Sequence, residues 1–281
     1  MSAARPAATV PALVGASHPL PTLAVTTFSV AVSAALGRSA GGCLLVGATV
    51  ATGQLSIGWC NDLLDRRRDQ RAGRTDKPLA VGAVPPRTVA TACAVALALC
   101  VPLSLANGWL AGLVHLVAVG GGWAYNLGLK RTAASVLPYA VSFGLLTAFL
   151  TLGLPGSPWP QPWAIAAGAL LGMGAHFLNV VPDVDDDLAA GVRGLPQRMG
   201  ARRAAVTGAG LLAGAATLVV VGPGLPPPAW AWGGLAVAVA SAGAAAVAGR
   251  RPVAGRAPFL LAVTTAAVAV TLLVARGSDL T

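Results

Sequence analysis

The sequence contains no glutamate, so its nine acidic residues are all aspartates. Only 10% of the residues are charged, whereas an average soluble globular chain carries about 25%. So few charges cannot provide the polar surface that a soluble protein of 281 residues needs. Because 56% of the residues are hydrophobic and the mean hydropathy is +0.73, the composition indicates a membrane protein.

The sequence also lacks a Cys-x-x-Cys pair and a signal-peptide pattern. The four cysteines form no Cys-x-x-Cys pair and lie in or beside apolar segments, so we expect buried free thiols. The first 20 residues lack the basic stretch, apolar core and cleavage site of a signal peptide. The net charge of +10 does not predict a nucleic-acid partner, because the basic residues gather in short loops between apolar runs.

Long apolar runs are abundant, and a membrane-spanning helix needs about 20 such residues. Turn and charge signals divide these runs into nine candidate spans. The spans cover residues 20–37, 41–60, 88–106, 109–127, 134–152, 162–181, 204–221, 229–249 and 257–275. We therefore predict an all-α, polytopic membrane protein with one nine-helix domain at 20–276, between tails at 1–19 and 277–281.

The basic residues are divided unequally between the two sides of these spans. Of the 19 lysines and arginines, 17 lie in the N-terminal tail or in the loops after the second, fourth, sixth and eighth spans. The other side has only Arg38 and Arg276. Cytoplasmic loops of membrane proteins are rich in Lys and Arg. We therefore expect the N-terminus and the long loops to be cytoplasmic and the C-terminus to lie on the opposite side.

Eight of the nine aspartates lie in two groups, which follow the second and the sixth spans on this predicted cytoplasmic side. The pattern Asn-x-x-x-Asp-x-x-x-Asp occurs in both, at Asn61, Asp65 and Asp69 and again at Asn179, Asp183 and Asp187. Side chains four residues apart share one face of a helix. Each group therefore predicts an oxygen-rich helix face, and Asp62 is expected on the same broad face as the first triplet.

Carboxylates stacked one turn apart repel each other, and the repulsion is strong beside low-dielectric lipid. A bound cation would relieve it, and oxygen ligands without nearby His or Cys favour Mg²⁺ over zinc or copper. Protein-bound Mg²⁺ keeps coordination positions for substrate phosphates. With arginines and a lysine close by, the two groups predict a diphosphate site. A solvated helix end with surface ion pairs is the alternative for either group alone.

Around these residues the sequence resembles the UbiA superfamily of intramembrane prenyltransferases. The first motif of that family, NDxxDxxxD, matches NDLLDRRRD at 61–69, and the basic pattern after it matches RTDKPLAVG at 74–82. The second motif, DxxxD, matches DVDDD at 183–187. The resemblance implies nine helices around a central cavity, with Asp-rich helix ends, Mg²⁺ as the cofactor and an isoprenoid diphosphate as the substrate.

The resemblance also implies roles for individual residues. The metal-site residues would be Asn61, Asp62, Asp65, Asp69, Asp183 and Asp187. The residues at the diphosphate or the cleaved bond would be Arg74, Lys77, Lys130, Arg131 and Tyr125. Those expected to be catalytic are Asp65, Asp183, Tyr125 and Lys130. Two more substrate-binding candidates follow from spacing: Asn179 precedes Asp183 by one turn, and His176 precedes it by two, so that it would line the substrate chamber.

Three positions depart from the family's pattern. Lys77 replaces the usual Arg, which keeps the charge but loses the two-pronged geometry of a guanidinium. Gly194 stands where Thr is common, and His18 stands where many members begin the first helix with Arg. A cation at that place can orient the carboxylate of an aromatic-acid acceptor, so His18 weakens the expectation of a hydroxybenzoate acceptor.

We therefore expect a membrane enzyme that ionises an allylic isoprenoid diphosphate and transfers the prenyl group to an apolar or aromatic acceptor. Its partners would be that diphosphate, an aromatic or lipid acceptor and the lipid bilayer. A terpene cyclase on the same scaffold would begin with the same ionisation and trap the cation with an internal double bond. A transporter is the remaining alternative, disfavoured because the acids gather at one membrane face rather than at the midplane.

Overall fold

The computed structural model describes residues 9–224, 226–248 and 257–281, and regular structure within these ranges is entirely helical. The helices are α1 (Thr9–Gly15), α2 (Pro19–Ala35), α3 (Ala40–Arg71), α4 (Pro86–Ala106), α5 (Trp109–Leu127), α6 (Leu137–Leu152), α7 (Pro162–Val180), α8 (Val184–Ala189), α9 (Leu195–Met199), α10 (Ala201–Val221), α11 (Ala229–Ala248) and α12 (Ala257–Ala275). Short 3₁₀ turns lie at Leu129–Arg131, Ala133–Val136, Val181–Asp183 and Gly277–Asp279.

Each predicted span coincides with one of the longer helices. Seven helical segments in the described part are long and apolar enough to cross a membrane: Ala40–Arg71, Pro86–Ala106, Trp109–Leu127, Ala133–Leu152, Pro162–Ala189, Ala201–Val221 and Ala229–Ala248. The first and last spans fall on the shorter apolar segments Pro19–Ala35 and Val263–Ala275. The all-helical membrane architecture is therefore confirmed, and crossing by the first and last spans stays a prediction.

Helix α3 is the element that places the first aspartate cluster. The hydroxyl oxygen of Ser39 accepts a hydrogen bond from the Gly42 amide at 3.2 Å and caps the start of the helix. At about 1.5 Å per residue its 32 residues span about 48 Å, more than the roughly 30 Å hydrocarbon core of a bilayer. A helix of this length extends beyond the hydrocarbon, and we expect the charged, aspartate-bearing turns at its C-terminal end to be the part that does so.

Small residues bring the helices of the bundle close together. A Cβ atom at Gly172 of α7 would lie 2.5 Å from the backbone oxygen of Tyr139 and 2.7 Å from the Cβ of Phe143, both on α6. In lipid, the hydrophobic effect does not drive helices together. Small residues that let the backbones approach closely allow the helices to pack tightly instead. The α6–α7 contact brings the rings of Tyr139 on α6 and His176 on α7 within stacking distance.

Both predicted tails pack onto the bundle where they are described. Helix α1 lies within the segment predicted as the N-terminal tail, and Ala16 after it is fully buried among Trp59 and Leu79. At the C-terminus Leu280 is fully buried, and its carbonyl oxygen accepts from the Gln161 amide at 2.7 Å. The basic residues that lie outside the described residues are Arg5, Arg250, Arg251 and Arg256, all counted above toward the cytoplasmic side.

Two cavities lie away from the aspartates. One, of about 510 Å³, is an apolar groove between α11 and α12 lined by Trp230 and Val268. The other, of about 600 Å³, surrounds Arg38 and Pro155. The predicted central cavity beside the aspartates stays a prediction. All four cysteines are free thiols, as expected, and three of them are buried.

Candidate active site

The first aspartate cluster lies on the last turns of α3, which continues helically to Arg71 as the spacing predicted. Asp62, Asp65 and Asp69 are 1%, 3% and 4% exposed. Carboxylates this deeply buried need cations or several hydrogen-bond donors, because an unpaired buried charge is strongly disfavoured. The surroundings of each one therefore decide what it can bind.

Asp65 forms the most enclosed ion pair of the site. Both of its carboxylate oxygens accept from the Lys130 ammonium, at 2.6 and 2.7 Å, and Arg68 Nη2 donates to Oδ2 at 3.0 Å. Lys130 belongs to the turn after α5 and is itself only 4% exposed. Burial lowers the pKa of the Lys130 ammonium, and the Asp65 carboxylate opposes that shift.

Asp62 is held at one oxygen only. Its Oδ1 atom lies 2.8 Å from Lys77 Nζ and 2.9 Å from His18 Nε2. Its Oδ2 atom is buried and has no hydrogen-bond partner among the described residues. An unpartnered buried carboxylate oxygen is a hard acceptor of the kind Mg²⁺ prefers.

The second cluster is not built like the first. Pro182 has no amide hydrogen and ends the regular helix, so α7 stops at Val180 and a 3₁₀ turn carries Asp183 to the start of α8. The side chain of Asp183 is 47% exposed, and Asn179 is exposed as well. Asp187 is half-buried, and its Oδ2 accepts a hydrogen bond from Gln197 Nε2 at 2.9 Å.

Arg74 lies between the clusters in the loop after α3. Its Nε and Nη2 atoms each donate to Asp76 at 2.8 Å, and its Nη1 lies 3.9 Å from Asp183 Oδ1. The hydrogen bonds from Arg74 lower the pKa of Asp76 to about 2 and raise the pKa of Arg74. The fold therefore brings the two clusters into one electrostatic environment.

An aromatic group lies on the helices beside the aspartates. The rings of Tyr139 and His176 stack with centroids 4.5 Å apart, and Tyr125 meets both edge-on at 5.2 and 5.5 Å. His176 is fully buried, with Nε2 3.2 Å from Ser135 Oγ. Tyr125 precedes Asn126, which hydrogen-bonds to Asn61 and to the Ile57 carbonyl on α3, so this group lies at the aspartate end of the bundle.

The structure thus brings most of the predicted site residues together. Asn61 Nδ2 donates to Asn126 Oδ1 at 3.0 Å, which ties the aspartate end of α3 to α5. Arg131 is exposed, like Asn179. Among the described residues no three Asp, Glu, His or Cys side chains are close enough to form a preassembled metal centre. The donors are all oxygen atoms, which fits Mg²⁺, but their carboxylates are held by cations rather than clustered.

Gln197 is a site residue that the sequence did not reveal. It is 3% exposed on α9 and reaches Asp187 from a different element, so no local pattern marks it. It also explains Gly194, since a Cβ atom there would lie 2.5 Å from Gln197 Oε1 and 2.8 Å from Ser135 Oγ. The space that a threonine would fill is occupied by the glutamine amide.

Comparison with known proteins gives the family of the chain. The model of the UbiA prenyltransferase family matches residues 21–267, which is most of the sequence. The chain belongs to the UbiA prenyltransferase family. No protein of curated function matches it by sequence. As a member of this family with seven segments suited to crossing a membrane, it is an integral membrane protein.

Solved structures agree with the fold. A UbiA homolog from Archaeoglobus fulgidus superposes with a TM-score of 0.70 at 19% identity, over 95% of this chain and 98% of that one. The same comparison with a form described as bound to GPP and Mg²⁺ gives 0.65 at 18% identity, over 93% and 99%. A digeranylgeranylglyceryl phosphate synthase gives 0.68 at 13% identity, over 97% and 99%. At these identities the likeness concerns the fold.

Proposed function

We propose that the protein is a Mg²⁺-dependent intramembrane prenyltransferase that ionises an allylic isoprenoid diphosphate at the two aspartate clusters. The observation that carries the proposal is the convergence of both clusters and four basic side chains at one end of the bundle. Arg68, Lys77 and Lys130 pair with the first cluster, and Arg74 bridges toward Asp183. Membership of the family and the GPP- and Mg²⁺-bound form of the A. fulgidus homolog support it.

The metal-holding residues in this proposal are the oxygen donors of the clusters. They are Asn61, Asp62, Asp65, Asp69, Asp183 and Asp187. Bound Mg²⁺ would neutralise the charge that develops on the departing diphosphate. Of the two Asp62 oxygens, Oδ2 is the one available to ligate a cation, because Oδ1 already contacts Lys77 and His18.

The basic side chains would bind the diphosphate and stabilise it as it leaves. Arg74 and Lys77 lie in the loop that faces the clusters, and Lys130 lies beneath them at Asp65. The exposed Arg131, next to Lys130 in the chain, would add positive charge on the same side of the site. Donors aimed at developing charge are worth most where water is scarce, and this end of α3 is well buried.

The aromatic group would shield the allylic cation. When the carbon–oxygen bond breaks, its electron pair leaves with the diphosphate and the prenyl carbon becomes positive. The ring of Tyr125, which has no stacked aromatic partner among the described residues, would offer the negative π density of its face to such a cation, and the stacked pair of Tyr139 and His176 would pack beside it. The acceptor then supplies the electron pair for the new bond and loses a proton.

Purified protein in nanodiscs with C10 to C20 allylic diphosphates, with and without phenols and lipid alcohols, tests this function. We expect Mg²⁺-dependent diphosphate release together with a prenylated acceptor detected by mass spectrometry. Release accompanied by a cyclic hydrocarbon or terpene alcohol instead would assign the terpene cyclase reaction. No Mg²⁺-dependent release with any chain length would reject both. We also propose that the clusters and the N-terminus face the cytoplasm, as the distribution of Lys and Arg indicates.

A further inference from the structure

We propose that the N-terminal segment, residues 9–18, is a working part of the site, and that His18 is a positioning residue for Asp62 and Lys77. The sequence predicted these residues as a tail, and His18 itself as a weak substitute for an arginine. The structure instead places the end of this segment on the first aspartate cluster. The inference deepens the proposed function, and only its kinetic test rests on that function.

Three contacts hold the segment on α3 and on the loop that follows it. Trp59 Nε1 donates to the Leu13 carbonyl at 2.9 Å. A Cβ atom at Gly58 would collide with the Ser17 carbonyl oxygen, so the backbone of the segment lies directly on α3 one turn before Asp62. A Cβ atom at Gly15 would lie 3.0 Å from Pro78, the residue after Lys77.

The segment therefore touches both elements that carry the Asp62–Lys77 pair. Ala16 is fully buried in the same apolar cluster as Trp59 and Leu79. Without the segment, the loop bearing Lys77 would lose one side of its packing against α3. The apolar contacts set the distance between helix and loop, and His18 sets the polar contact.

His18 completes a triangle of polar atoms. Its Nε2 lies 2.9 Å from Asp62 Oδ1 and 3.1 Å from Lys77 Nζ, and the latter two atoms are 2.8 Å apart. One imidazole nitrogen can donate to the carboxylate or accept from the ammonium, according to its tautomer. In either case the ring fixes Oδ1 and Nζ together and leaves Asp62 Oδ2 as the free oxygen.

The backbone at His18 is strained, which is consistent with a constrained position. Its φ of 55° and ψ of 64° lie in the left-handed region, a backbone conformation that residues other than glycine adopt uncommonly. Such conformations persist where surrounding contacts over-determine them, and they cluster at functional sites. Helix α2 begins at Pro19, directly after His18. The turn at His18 therefore connects the docked segment to the first span.

The test measures Lys77 directly in the full chain in nanodiscs. His18→Ala removes the imidazole, Gly58→Ala displaces the segment, and Gly41→Ala is the matched control because nothing lies within 4 Å of its added Cβ on the same helix. Acetic anhydride labelling of Lys77, followed by peptide mass spectrometry, reports the release of its amine without any need for catalysis. Hydrogen exchange of residues 9–17 reports whether the segment stays docked.

We expect His18→Ala and Gly58→Ala to speed Lys77 labelling about tenfold, the effect of losing a charged hydrogen bond, and Gly41→Ala to leave it unchanged. Exchange of residues 9–17 should rise in Gly58→Ala. In turnover, KM for geranyl diphosphate should rise about tenfold in His18→Ala with kcat nearly unchanged, and His18→Gln should restore it. Wild-type labelling rates in both variants would overturn the inference. An inactive wild-type protein with faster labelling in the variants would refute the proposed function and leave this inference standing.

Discussion

The first aspartate cluster is buried and paired with cations, whereas the second is half-exposed and bonded to an amide. Asp65 lies in a closed pair with Lys130, on a continuous helix. Asp183 lies at a helix break made by Pro182 and approaches a cation only at 3.9 Å. Two motifs of equal spacing thus occupy different electrostatic and mechanical settings.

Because of this difference, we expect the two clusters to contribute differently to the stability of the fold. Removing one partner of a buried pair leaves an uncompensated charge, so the first cluster contributes to stability as well as to the proposed site. An exposed carboxylate near one arginine contributes little to stability, because water screens it. A change in the contacts of the second cluster should therefore cost the fold little stability.

The largest expected effects come from Asp65→Asn and Asp183→Asn. Each should lower kcat/KM for diphosphate release by about 1000-fold, the loss expected when a group that stabilises developing charge is removed. The unfolding temperature should fall in Asp65→Asn, which leaves Lys130 buried without its counter-charge, and stay unchanged in Asp183→Asn. Radiolabelled release assays and thermal unfolding in detergent measure the two quantities. Equal loss of stability in both variants would remove the contrast between the clusters.

Lys130→Met should have the next largest effect, chiefly on the free energy of unfolding. With the lysine gone, Asp65 keeps only the partly exposed Arg68, and the free energy of unfolding should drop by about 3 kcal/mol. Adding Asp65→Asn to Lys130→Met should recover most of that loss, because the pair is then removed together. A double variant whose losses simply add would show that the pair has no such coupling.

Gln197→Met tests the amide that supports the second cluster. The change keeps the side-chain volume and removes the donor to Asp187, so the apparent affinity for Mg²⁺ in the release assay should fall about 10- to 100-fold. Arg198→Ala, at the exposed next residue, is the control and should behave as the unchanged protein does. Wild-type Mg²⁺ dependence in Gln197→Met would mean that Asp187 does not need its partner.

The smallest effects are expected at Asp185 and Asp186. Both are exposed, and neither makes a hydrogen bond through its side chain among the described residues. Changing either to Asn should alter kcat/KM by no more than about twofold, as surface substitutions usually do. A large loss in the same release assay would extend the second cluster beyond Asp183 and Asp187.

Much of the fold could be predicted from the sequence, because helix length and burial in lipid depend on local composition. The spans, the helical extension to Asp69 and the two motifs all follow from spacing within one segment. Pro182 indicates the break after α7, because proline has no amide hydrogen for a helical bond. The periodic spacing of the aspartates instead predicted a continuous helix.

The partners of the aspartates could not be predicted in the same way. The pairing of Lys130 with Asp65 joins residues 65 positions apart, and Gln197 reaches Asp187 from a separate short helix. Docking of the N-terminal segment depends on the surface of Gly58 and Trp59, which only the folded helix presents. Contacts of this kind arise from packing between elements and leave no periodic signal along the chain.

The most direct test of the central claim, that both clusters act on one diphosphate, is a double-mutant cycle with Asp65→Asn and Asp183→Asn. The measured quantity is the rate of Mg²⁺-dependent diphosphate release from geranyl diphosphate by the wild type, the two single variants and the double variant. Groups that act as a unit are strongly non-additive. We predict that the double variant is no slower than the slower single variant. Losses that multiply would contradict the claim, since they would mean that each cluster acts independently.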